Sequence, residues 1–303
     1  MKKIILIIAI TAGLVIAGKV SYDVFGRAIE CHWQAVAAQR AGWARLKEDV
    51  TKMAGQYKGD VALVIKDLGT GARIEINENM EIPSASLVKI PIMLAVFSEA
   101  KAGRITLNDA IELRQSDKTD GSGVLKNALT GPSYKIEALV SLMITQSDNT
   151  AANMLINRLG MDELNQSFKK FGLKHTNLSR RMMDFKSRKY GIENYTTAAD
   201  MAHILEELYR GSFISKGISN SCLEYLSEQK INDRIPKKLP SGVTVAHKTG
   251  LENGVCHDVG IVYTDKGNFI ICALIKHRSS TARQAKRLIA YLSLSVYNYY
   301  NAL

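Results

Sequence analysis

The chain has 303 residues, 46% hydrophobic and 23% charged, and shows no low-complexity run and no short repeat. That composition excludes a disordered or solenoid protein and leaves a globular one of one or two domains. The net charge of +11 is scattered along the chain. It marks no nucleic-acid stripe, so no nucleic-acid partner is expected; solubility is the plain reading, attraction to an anionic envelope or substrate the functional one.

Lys2 and Lys3 precede an apolar stretch, Ile4 to Ala17, followed by Gly18 and Lys19. A positive start and an apolar run of ~14 residues have the form of a secretory signal and fall short of the ~20 residues that span a bilayer. Residues 1–18 are therefore expected to be a signal peptide or, if uncleaved, an N-terminal membrane anchor. The protein is then exported, to the periplasm, cell surface or medium. Val15-Ile16-Ala17 offers a small-residue cleavage site, and no cysteine follows to carry a lipid.

Residues 34–55 have helical periodicity. Asp60–Leu68 alternates as a strand, Gly69-Thr70-Gly71 turns the chain, and Arg73–Asn77 returns it. From Ser84 to about Lys230 the pattern is mostly helical, with helices predicted at Ser86–Ala102, Ile136–Gln146, Asn149–Leu159 and Thr197–Arg210, and Gly211 as the last one's stop. A long irregular segment, roughly Thr176 to Tyr195, precedes the last of these. Strand character resumes at Val243–Lys248, Val255–Thr264 and Asn268–His277, and residues 281–300 close the chain as a helix. The pattern predicts an α+β fold: one antiparallel sheet flanked by terminal helices, with an all-α domain inserted. A ligand site is expected at the seam of the two parts.

Four cysteines, Cys31, Cys222, Cys256 and Cys272, form no metal-binding spacing, and no metal or organic cofactor is implied. A hairpin turning at Asp265–Asn268 would not set Cys256 opposite Cys272, so free thiols are expected.

Three short motifs carry chemistry. Ser86-Leu87-Val88-Lys89 places a hydroxyl and an amine one helical turn apart, where the amine can take the serine proton. About two S-x-x-K matches arise by chance in this length, and Ser167/Lys170 and Ser227/Lys230 also match; both read as solvated helix faces. Ser147-Asp148-Asn149 is rarer. Asp148 or Asn149 can simply cap a helix, or Ser147 can relay a proton to a leaving group while Asn149 binds a substrate carbonyl and positions Lys89. Lys248-Thr249-Gly250 closes a predicted strand. It is either a strand-edge lysine and a turn glycine, or a cation beside Ser147 with Gly250 admitting substrate and Leu251 and Ser86 supplying oxyanion N–H groups. The three motifs in this order are the signature of class A β-lactamases and penicillin-binding proteins.

Over residues 35–303 the chain resembles the class A β-lactamase family. Ser147–Leu155 resembles the helix after the family's second motif, and Asn194–Leu205 the helix after its Ω loop. The resemblance implies a catalytic domain with an α/β part (35–80 and 231–303) and an α part (81–230). It implies Ser86 as acylated nucleophile, Lys89 as its proton partner and Ser147 as relay to the lactam nitrogen. Asn149, Lys248, Thr249, Gly250 and Leu251 would bind substrate. The partner would be a small-molecule β-lactam or a peptidoglycan-derived peptide, and the protein a monomer.

The Ω loop departs from the family. Aligning Thr176-Asn177-Leu178-Ser179-Arg180 with its start puts Met182 where the deacylating glutamate belongs, Lys186 at its asparagine partner, and Asn194 at the aspartate that pairs with Arg180. Asp184 is the nearest carboxylate. It is either a replacement base or a solvated loop residue. Cys256-His257-Asp258 stands where many members place a carboxylate-binding arginine, with Arg234, Arg278 or Lys286 as substitutes. His247 and His257 read as structural or exposed rather than catalytic. Three functions fit: a β-lactam hydrolase with slow turnover, a D-alanyl-D-alanine peptidase or esterase, and a β-lactam binder that stays acylated.

Overall fold

The computed structural model describes residues 2–302, with the side chains of residue 19, residue 22 and residues 25–302. The chain divides into two units, one reaching to Asp49 and one spanning Val50–Ala302. Helix α1 (Lys2–Gly55) makes up the first, and its last turns belong to the second, where Val50 and Ala54 are buried. The signal or anchor expected over residues 1–18 lies outside the described side chains. Among the described residues no helix is long and apolar enough to cross a membrane.

The second unit opens with strand β1 (Gly59–Asp67), whose carboxylate Asp67 accepts hydrogen bonds from Gly69 and Thr70 N–H at 2.8 Å and so shapes the turn into β2 (Arg73–Ile76). A short strand, β3 (Ile82–Pro83), leads to helix α2 (Lys89–Lys101). Strands β4 (Ala110–Glu112) and β5 (Ser133–Lys135) pair, and helices α3 (Ile136–Thr145), α4 (Asn149–Leu159) and α5 (Met161–Lys170) follow. The segment predicted irregular holds a five-residue helix, α6 (Phe185–Lys189), and strand β6 (Tyr195–Thr196), which pairs with β3. Then come α7 (Ala198–Arg210), stopped by Gly211 in the left-handed conformation, and α8 (Lys216–Ser227). Strands β7 (Val245–Glu252), β8 (Val255–Val262) and β9 (Phe269–His277) and helix α9 (Arg283–Ala302) complete the chain.

The main sheet has the order β2-β1-β9-β8-β7, antiparallel throughout, so the helical segment is an insertion between β2 and β7 and β7 is an edge. Both faces are covered. Ala62, Val64, Val259, Cys272 and Leu274 share one face and join the main core with α2, α3, α4, α7 and α8. Leu63, Ile65, Phe269 and Ala273 point the other way; Phe269 stacks on Tyr300 of α9 with ring centroids 5.4 Å apart. Because neighbours on a strand alternate faces, the pairing Lys248↔Val259 puts Lys248 on the helical side, and Thr249↔Asp258 puts Thr249 on the α9 side. The same register sets Cys256 opposite Ile275 and Cys272 opposite Val259, and all four thiols are free.

Ser167 differs from its reading as a solvated helix face: it is buried on the inner side of α5. Ser227 ends α8 exposed, with Lys230 beyond the helix.

Candidate active site

Ser86 stands in a single 3₁₀ turn, Ala85–Val88, that runs straight into α2. Leu87 and Val88 are fully buried and pull the turn onto the core, leaving Ser86 part-exposed. Ala85 holds a φ of 45°, a conformation that costs a non-glycine residue about 1 kcal/mol or more. Gly250 of β7 lies against this turn: a Cβ there would sit 3.3 Å from Ser84 O and 3.3 Å from Leu87 Cγ. That contact explains the glycine, since only a strand without a side chain at this point packs so closely.

Ser147 bridges α3 and α4 at a φ of 56°. Asp148 is the N-cap of α4, as one reading of the motif required. It accepts from Ala151 N–H at 2.9 Å, and its other oxygen gathers the Val124 and Leu125 N–H groups at 2.7 and 2.9 Å. Asn149 accepts from Lys89 Nζ at 2.7 Å and donates to Asp120 O at 3.1 Å. Among the described residues its amide makes that one donation, and Asn149 lines a cavity of about 230 Å³ that Ser86 and Leu251 also line.

The three motifs meet at Ser147. Lys89 Nζ lies 3.3 Å from Ser147 Oγ and 2.6 Å from Ser147 O; Lys248 Nζ, arriving from the sheet, lies 2.9 Å from the same Oγ and 2.9 Å from Thr249 O. One-turn spacing led us to expect Lys89 bonded to Ser86. Instead its donors go to Ser147 and Asn149, because the 3₁₀ turn ends where α2 begins and the amine reaches across to α4. Both lysines are fully buried and neither forms an ion pair among the described residues. Burial lowers Lys89 to about 7, partly offset by Asp148. It also pushes Lys248 well below the ordinary lysine range, helped by Lys89 and Arg234 and opposed by Asp258.

Met182 is buried on the same cavity, its backbone N–H donating to Asn153 Oδ1 at 2.9 Å. Asp184 has other work. It caps α6, accepting from Ser187 N–H at 3.0 Å and Ser187 Oγ–H at 2.7 Å, and these bonds lower its basicity. It is not among the residues lining the cavity. The carboxylate on that wall is Glu252, which accepts both oxygens' worth of hydrogen bonds from Arg180 Nη2 at 3.0 Å. Arg180 also bonds Glu193 at 2.7 Å; burial would lower its proton affinity, but the two glutamates outweigh that and raise it. Asn194 does not bind the Arg180 side chain. It accepts from the Ser179 and Arg180 N–H groups at 2.7 and 2.9 Å and donates to Arg180 O at 3.0 Å, tying the loop's neck.

Of the three substitute cations, Arg234 is nearest the chemistry. It is buried, donates to Cys256 Sγ at 3.3 Å, and depresses Lys248. Its Nη1 lies 3.0 Å from Asp233 Oδ1 without hydrogen-bond alignment, so both atoms lack a partner. Lys286 pairs with Asp233 at 2.6 Å. Arg278 lines an open hollow of about 640 Å³ beyond the β7–β8 turn; that hollow is larger than the Ser86 cavity but holds no motif residue.

Both histidines are structural. His257 Nε2–H donates to Pro83 O at 2.9 Å while Nδ1 accepts from Ile275 N–H at 3.1 Å, and burial lowers it to about 4. His247 contacts Asp258 and Asn232, each at 2.9 Å.

Sequence reading missed Gly121, Ser122 and Glu252 as parts of the cavity wall. Gly121-Ser122-Gly123 carried a signal: a Cβ at Gly123 would lie 2.2 Å from Asp148 Cγ, so the loop can close on the second motif only with glycine there.

A sequence model described as the β-lactamase enzyme family matches residues 45–300. Among curated relatives, β-lactamase VEB-1 of Pseudomonas aeruginosa is 26% identical over 244 residues, 75% of this chain and 81% of that protein. Among solved structures, PBP-A is 29% identical with a TM-score of 0.79, over 86% of this chain and 97% of that one; a PBP-A mutant has been solved as its acyl-enzyme complex with penicillin G. A β-lactamase from Sphaerobacter thermophilus DSM 20745 is 31% identical with a TM-score of 0.78, over 86% and 98% of the two chains.

Proposed function

The chain belongs to the β-lactamase enzyme family, and from that premise we propose that it is a serine hydrolase whose Ser86 opens β-lactams or related amides through an acyl-enzyme. The observation that carries the reading is the meeting of Lys89 and Lys248 on the hydroxyl of Ser147. Ser86 Oγ attacks the carbonyl carbon, and Lys89, with a proton affinity near neutrality, takes the proton directly or through Ser147. Ser147 hands a proton to the lactam nitrogen as the C–N bond breaks, and the proton that Lys89 took from Ser86 restores it. The Ser86 and Leu251 N–H groups receive the developing oxyanion. The Asn149 side-chain N–H takes the substrate's amide carbonyl. Lys248, Thr249 and Arg234 hold its carboxylate.

The ester then waits for water. Met182 cannot accept a proton, Asp184 is spent as a cap and Glu252 is held by Arg180 and Arg188, so no unpaired carboxylate serves as base and turnover is slow. This observation also supports the second reading, a D-alanyl-D-alanine peptidase or esterase, or a binder that stays acylated. A burst assay with a chromogenic cephalosporin separates them. Sustained turnover abolished by Ser86→Ala supports the hydrolase, and a single stoichiometric burst supports the others. No acylation at all, with Ser86→Ala behaving like wild type, overturns the whole reading. Residues 1–18 are proposed to direct export or to anchor a monomer outside the cytoplasm. A protein that keeps Met1 and is recovered in the soluble cytoplasmic fraction would overturn that assignment.

A further inference from the structure

At and behind the Ω-loop wall of the cavity stand four charges that the reaction above does not use; two of them, Arg180 and Glu252, line it. Arg180 and Arg188 of the loop face Glu193 of the loop and Glu252 of β7 in a closed, neutral ring. Arg180 bonds Glu193 at 2.7 Å and Glu252 at 3.0 Å; Arg188 bonds Glu193 at 3.0 Å and Glu252 at 3.2 Å. Arg188 also donates to Asn253 O at 3.2 Å. Three of the four side chains are at most 9% exposed, and Arg188 is 28% exposed. Burying charges costs several kcal/mol per ion before pairing repays it, so a ring of this kind is a poor source of stability and a good source of fixed geometry.

What it fixes is the end of β7. As the edge strand, β7 has a ladder partner on one side only, and its last paired residue is Glu252, opposite Val255. Leu251, one residue earlier, is half exposed on the cavity. The ring grips the two residues that follow, Glu252 by its carboxylate and Asn253 by its carbonyl.

We propose that the Arg180–Glu193–Arg188–Glu252 ring is a positioning device for acylation: it holds the end of β7 so that the Leu251 N–H faces the Ser86 turn. The Ω loop of this chain thus serves the oxyanion strand. This inference rests on the acyl-enzyme reading of Ser86 and Leu251, and adds to it the residues that set the geometry.

The test is Glu252→Gln and the milder Arg188→Gln, in full-length protein. It measures the acylation rate constant, the non-covalent affinity for the same β-lactam, the affinity for a boronic acid that forms a tetrahedral adduct on Ser86, and the melting temperature. Glu252→Gln is expected to slow acylation about 10- to 100-fold and weaken the boronic acid by the same factor, with non-covalent affinity within about twofold. Arg188→Gln shifts both in parallel by less, and Glu252→Asp recovers part of the loss. Lowered melting with rate constant and boronate affinity unchanged overturns the proposal, as does a loss confined to ground-state affinity. Should Glu252→Gln fail to fold, the parallel shift in Arg188→Gln decides. If wild type forms no adduct on Ser86 the functional reading falls and takes the inference with it; if wild type reacts and the variants match it, the inference alone falls.

Discussion

Two regions beside the Ser86 cavity bury charge in opposite ways. On the seam between sheet and helices, Lys89 and Lys248 are fully buried and bonded only to neutral oxygens, those of Ser147, Asn149 and Thr249. On the Ω-loop side, two arginines and two glutamates are buried in mutual contact. Burial without a counter-ion weakens an ammonium's hold on its proton, and at Lys89, lowered to about 7, it makes a base. A buried guanidinium between two carboxylates keeps its proton and becomes a strut. The first region holds the proton acceptor that the proposed acylation needs, and the second keeps both its carboxylates tied to arginines, with none left unpaired to break the ester.

The sharpest way to break the contrast is Lys89→Ala. Acylation by a fluorescent penicillin is expected to fall ~10³- to 10⁴-fold, and full labelling of the mutant would show that the unpaired lysine is not the proton acceptor. In the paired region, Glu193→Gln leaves Arg180 and Arg188 sharing one carboxylate and should cost about 3 kcal/mol in denaturant unfolding; an unchanged midpoint would mean the ring is already solvated. Met182→Glu supplies the missing acceptor. It should shorten the acyl-enzyme lifetime, followed by intact mass, about 10²-fold, and an unaltered lifetime would count against the position assigned to Met182.

The pH dependence of acylation probes the unpaired region directly. Lys89 must be neutral to accept the proton, so the rate should rise about tenfold per unit below about 7 and level off above it. Lys248 must keep its proton to hold a carboxylate, and burial pulls its loss below the ordinary lysine range, so the plateau should end early on the alkaline side. A rate independent of pH between 5 and 7 would remove Lys89 from the mechanism. The smallest effect is expected for Arg234→Ala. It should raise the KM of a carboxylate-bearing β-lactam about tenfold with little change in kcat, and no change would leave Lys248 and Thr249 to hold the carboxylate alone.

Much of this was readable in the chain. Ser86, Ser147 and Lys248 stand out because each opens a short motif, Ser-Leu-Val-Lys, Ser-Asp-Asn and Lys-Thr-Gly, and such motifs are local. Asp148 could be offered as a helix cap for the same reason. The role of Asp184 was not readable, because a carboxylate near a loop looks the same whether it meets water, a base site or the N–H of Ser187. Helix α6 was missed in the loop since five residues carry too little periodicity to register. The expected Lys89–Ser86 bond was the natural reading of an i, i+3 spacing; the amine instead finds acceptors about sixty residues downstream.

Strand alternation, helix boundaries and the three motifs depend on neighbours within a turn or two, so local pattern gave the α+β class and singled out Ser86 as the candidate nucleophile. Other matters wait on contacts that span the chain. The sheet register turns Lys248 toward the helices and Asp258 away from them. Arg234 rather than Arg278 lies beside Lys248, and Arg180 finds Glu252 seventy-two residues away. Which partner a long charged side chain meets is decided by packing between distant elements, and no local pattern in the chain encodes it.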